Sequence, residues 1–222
     1  MTDKNMPIYN TLRAQLDGTR YSAHRVVLDK LEALPQGLSK AKASAIAKGT
    51  LNQKGVEDAV REYAAKHVAA EFRYETKRLH DARKSLMTRQ KALSIPATDP
   101  SDVAAAILRS DIRKHFASLD ATKRSSLLTL NPDAAVLAAV FEAPSFLTGV
   151  DADLKARAES AFAESNFPVE SAKLREDAEA LDVLDMALEA TRKNIRETMG
   201  FTDMEFEKWM TTNAPPSDGE GV

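Results

Sequence analysis

Three features of this 222-residue chain predict an all-α fold. Aromatic residues make up only 6% of it and glycines number 8, while Ala, Leu, Glu, Lys and Arg dominate, a composition that favours helix over strand. No segment alternates apolar and polar residues for long enough to read as a strand. Apolar residues recur at helical spacing from Thr11 to Met210, and two stretches carry a large one every seven positions: Phe72, Leu79, Leu86, Leu93, and then Leu174, Leu181, Leu188, Ile195. The segment lengths put roughly 65–75% of residues in helix. With 43% hydrophobic residues, a chain of this length buries a sizeable core, as one domain or two small ones.

The first helix is expected over Thr11–Leu34, weakened by Gly18 and ended by Pro35-Gln36-Gly37, because proline cannot donate into the helical ladder and glycine tolerates a left-handed exit. A short Ala/Lys-rich helix over Ser39–Lys48 then stops at Gly49. From about 56 to 93 the pattern reads as one long helix, fed by Val56, Val60, Ala64 and Val68; its 38 residues would reach roughly 57 Å. Ile95 to Pro100 reads as a linker, with Asp99 or Ser101 capping the next helix and Pro100 in its first turn.

That next helix carries Val103, Ile107, Leu108, Ile112, Phe116 and Leu119, a wide apolar face that reads as a core element. Short helices follow, opened by Asp120, by Asn131-Pro132 and by Asp151, and stopped at Pro144 and at Asn166-Phe167-Pro168. A second long helix spans about 170 to 199 and closes at Gly200. Thr202 to Glu205 has the form of a capping box for a last short helix bearing Phe206, Trp209 and Met210. The Pro-, Gly- and acid-rich end, 213–222, reads as a disordered tail.

Charge is sorted along the chain. Residues 1–93 hold 18 Lys and Arg against 10 Asp and Glu, whereas residues 94–222 hold 13 against 23. The sign changes near the 95–100 linker, so the domain reading is a basic helical arm over 1–95, an acidic helical lobe over 101–212, and the tail. The eight seven-spaced residues are the candidate helix-packing interface, facing either an internal core or a partner, although Glu75, Ala82 and Arg89 three residues after Phe72, Leu79 and Leu86 spoil a pure zipper. Opposed charges on the two long helices would set their pairing, and the apolar seam would supply most of the energy.

The same basic stretch, Arg73, Lys77, Arg78, Arg83, Lys84, Arg89 and Lys91, is the candidate phosphate-binding face of a nucleic-acid-associated protein, with few aromatics interleaved. A helix-turn-helix over 45–60 fails because Gly55 falls where the second helix needs an apolar contact.

Catalytic and metal motifs are missing. Cysteine is absent, which excludes disulfides, thiolate metal sites and a cysteine nucleophile. His24, His67, His80 and His115 are scattered, with no Glu three residues before any of them and no H-E-x-x-H. Ser39 and Lys42 match S-x-x-K without its companion motifs, and Gly49 to Gly55 lacks the ending of a phosphate loop. The expectation is therefore no enzyme, no cofactor and no small-molecule substrate. No apolar run is long enough for a signal or membrane segment, which points to a cytoplasmic chain with no membrane partner.

From Ile112 to Val150 the runs IRKHFASLDATKRSSLLTL and DAAVLAAVFEAPSFLTGV resemble stretches in uncharacterised helical proteins of tailed-phage or prophage structural gene regions. The resemblance covers under a fifth of the chain and implies a virion-associated or assembly role. Together these readings describe a non-enzymatic helical structural or interaction protein that docks on a protein partner or on itself; the alternative is a nucleic-acid-associated protein.

Overall fold

The computed structural model describes residues 6–213 except Ala97, Pro100 and Asn131. Among the described residues there are eleven α-helices, one short 3-10 turn at Thr19–Tyr21 and no strand. The helices are α1 Met6–Gln15, α2 Ser22–Ala47, α3 Gln53–His67, α4 Ala69–Ala92, α5 Val103–Ser118, α6 Ala121–Thr129, α7 Ala134–Glu142, α8 Ser145–Thr148, α9 Ala152–Asn166, α10 Pro168–Met199 and α11 Asp203–Asn213. Helix takes 85% of the described residues.

The largest difference lies at Pro35-Gln36-Gly37, which does not end a helix. α2 runs through it and absorbs the separate helix expected over Ser39–Lys48. Pro35 is buried, and Gly37 serves close packing: a Cβ there would lie 2.9 Å from the Tyr63 hydroxyl of α3. The break comes earlier, at Gly18, whose φ of 118° only glycine adopts readily, so the helix expected over Thr11–Leu34 is two. The long helix expected over 56–93 is also two, interrupted at Val68, where φ widens to −114°. Val60 and Ala64 before the interruption and Phe72 after it belong to one apolar cluster.

Capping explains most of the remaining boundaries. The carboxylates of Asp120 and Asp151 accept from the amides of Lys123 and Leu154, as their positions predict. Thr202 and Glu205 form the reciprocal capping box. Gly200, at φ 69°, closes α10 with paired bonds from Gly200 N to Glu197 O and from Phe201 N to Arg196 O. Two caps differ from expectation. α5 is capped by Asp102, one or more residues past Asp99 and Ser101, and α7 by Asp133 rather than by Asn131-Pro132; Asn131 and Pro100 lie outside the described residues, as does the tail from 214 onward.

The chain forms two compact units, one of residues up to Ser85 together with those from Asp177, the other of Leu86–Glu176. This is not the division at 95–101 that composition suggests. The change of charge sign marks a loop inside the second unit, whereas the acidic C-terminal helix returns to the basic N-terminal segment.

In the first unit Leu34 and Leu38 of α2, Val60 and Ala64 of α3, Phe72 of α4, Ile195 and Met199 of α10, and Phe206 of α11 make a shared core. Phe72 and Phe206 meet edge to face with centroids 6.0 Å apart. A polar contact sits within the same unit: Thr191 of α10 bonds the Tyr9 hydroxyl at 2.8 Å and donates to the Leu31 carbonyl at 3.1 Å.

The second unit packs Phe116, Leu128, Leu137, Val140, Ala158 and Phe162 from α5, α6, α7 and α9. Arg124 ties its helix ends, with Nε to Leu119 O at 2.8 Å, Nη2 to Ala117 O at 2.6 Å and Nη1 to Thr148 O at 3.3 Å. One guanidinium thus satisfies carbonyls that the ends of α5 and α8 leave without amides.

Candidate interaction surfaces

None of the eight seven-spaced residues is exposed. In the first unit Phe72, Leu79, Leu181 and Ile195 are buried and Leu188 is half-buried; in the second, Leu86 and Leu174 are buried and Leu93 is half-buried. The single chain covers these positions itself. Glu75, which the heptad pattern marks as a polar interruption, is fully buried too. Its Oε1 accepts from Lys30 Nζ at 3.0 Å, while Lys30 also reaches Glu71 at 2.9 Å. The paired carboxylates hold the Lys30 ammonium above its ordinary pKa, Glu71 contributing most.

The opposed charges of the two long helices meet within the first unit. Arg83 of α4 pairs with Asp182 and Asp185 of α10, and those hydrogen bonds raise the guanidinium's pKa. Of the other candidate phosphate-binding residues there, Arg78 lies 3.6 Å from the buried Glu75, and Arg73, Lys77 and Lys84 fall with His80 on the side of α4 away from the Phe72–Leu79 stripe. Arg89 and Lys91 lie beyond Ser85, in the second unit. Arg78 and Arg83 are thus engaged by acids of the fold itself.

A groove of about 290 Å³ in the first unit has an apolar floor of Phe72, Leu188, Phe206 and Met210. Its charged rim is internally satisfied in part, since Arg192 donates to Glu207 at 2.6 Å. Among the described residues no three His, Asp or Glu side chains converge as metal ligands, and no helix is long and apolar enough to cross a membrane.

The surface that stands out is on α5. The sequence reads Val103, Ile107 and Leu108 as core, yet they are 71%, 62% and 58% exposed, with Ala104 beside them. Ile112, Phe116 and Leu119 of the same expected face do turn inward, Phe116 buried and the other two half-buried, so the helix is rotated from the expected setting, and Arg109 is only 8% exposed. Its Nε donates to Glu142 of α7 at 3.0 Å, and Arg113 Nη1 reaches the same carboxylate at 3.0 Å. Phe116 and the Arg109–Glu142 pair thus fix the inward face, and the aliphatic residues are left outward. α8, which packs against α5, adds Phe146 and Leu147 at 82% and 61% exposure.

Periodicity alone cannot reveal this rotation, because α5 carries aliphatic residues on nearly all sides. The available signal is Arg109 in the middle of the helix with Glu142 at the end of α7, a complementary pair at the α5–α7 contact. No family model matches the chain, and neither a curated protein nor a solved structure is similar to it.

Proposed function

We propose that the chain is a non-catalytic helical interaction protein that docks on a protein partner through the outward face of α5. The observation that carries this reading is the exposure of Val103, Ile107 and Leu108 on a helix that buries Arg109. Each large aliphatic side chain left in water forgoes roughly 1.5–3 kcal/mol of burial, while Arg109 is packed inside at the cost of desolvating a charge. Covering Val103, Ile107 and Leu108 with a partner recovers the first term. The resemblance of residues 112–150 to proteins of phage structural gene regions favours the same class of role, in assembly or on a particle.

Replacing Val103, Ile107 and Leu108 together by Ser tests the reading. The fold and its melting temperature are expected to hold, because the side chains face water, and a photo-reactive residue at position 108 is expected to give discrete protein adducts in cells. Loss of the fold in the triple variant would show that the face is internal and overturn the proposal.

A second reading, phosphate binding by the basic face of α4, rests on Arg73, Lys77 and Lys84 falling along one side of that helix. Its test is duplex binding that falls steeply as salt rises and disappears when Lys77 and Lys84 become Glu. Absence of binding at about 50 mM salt removes it.

A further inference from the structure

We draw no further inference here: the strongest candidate, the exposed aliphatic face of α5 at Val103, Ile107 and Leu108, belongs to the docking surface already described, and nothing in the structure shows what covers it.

Discussion

The hydroxyl of Thr191 lies 3.1 Å from the carbonyl oxygen of Leu31, the acceptor that Pro35 leaves without its helical amide. In an α-helix the amide of residue 35 would bond that oxygen, and proline has none. Thr191, 160 positions away, shares its one hydroxyl proton between that oxygen and the Ala187 carbonyl of its own helix, 2.8 Å away, while accepting from Tyr9. A proline inside α2 is tolerated because another helix of the same unit repairs the ladder.

This predicts a coupling between distant positions. Thr191→Val keeps the shape and removes the donor, and is expected to cost about 1–3 kcal/mol, chiefly by leaving the Leu31 carbonyl without it. In a Pro35→Ala background the restored amide takes over the Leu31 carbonyl, so the same change should cost about 1 kcal/mol less. A double-mutant cycle by denaturant unfolding measures the difference. Strict additivity would show that the hydroxyl does not substitute for the amide.

Gly37 supports a second prediction. In a helix interior Gly→Ala ordinarily gains up to about 1 kcal/mol. Here the added methyl would stand 2.9 Å from the Tyr63 oxygen, and Tyr63 is held by its contact with His67, centroids 4.7 Å apart. Overpacking of this kind costs about 1–3 kcal/mol, so Gly37→Ala should destabilise the chain. Tyr63→Phe removes the offending oxygen and leaves ring carbon at 3.8 Å, so in that background Gly37→Ala should turn neutral or stabilising. The sign reversal is the readout.

These two positions also show how far sequence reading reaches. Helical class, the caps at Asp120, Asp151 and Thr202–Glu205, and the stop at Gly200 are local chemistry, and each is legible because its partner lies within five residues. Pro35-Gln36-Gly37 carries the local signature of a helix end, but its outcome is set by Thr191 and Tyr63, far along the chain. The division into units is invisible for the same reason, since composition changes at the 95–100 loop while contacts are decided by where α10 returns. The candidate docking face reads as core in the sequence because aliphatic residues surround α5, and the Arg109–Glu142 pair decides which side turns inward.

The capping carboxylates predict a pH dependence. The Asp120 carboxyl is held below its ordinary pKa first by the Lys123 amide, and Glu205 first by the Thr202 amide. A carboxylate with a depressed folded pKa contributes stability that is complete above the unfolded value and is lost as pH falls through the folded one. The melting temperature should therefore decline on acidification from about pH 5 to about pH 2. Asp120→Asn keeps a competent cap without a titrating group and should flatten part of that slope. An unchanged slope would show that Asp120 does not couple folding to protons.

Leu79 and Leu181 test whether the seven-residue series is internal. They are 6% and 5% exposed in the single chain. Leu→Ala at either should therefore cost about 2–5 kcal/mol through lost burial and a residual cavity. Because the chain itself supplies the covering atoms, that cost should not vary with protein concentration. A seam shared between chains would behave otherwise, since mass action raises the melting temperature as concentration rises and the loss at Leu79 would shrink the assembly before it unfolded the monomer. Melting curves of the Leu79→Ala chain and its parent over a hundredfold range of concentration separate the two, and a cost at Leu79 that changes with concentration would move the seven-residue series from the core to an interface.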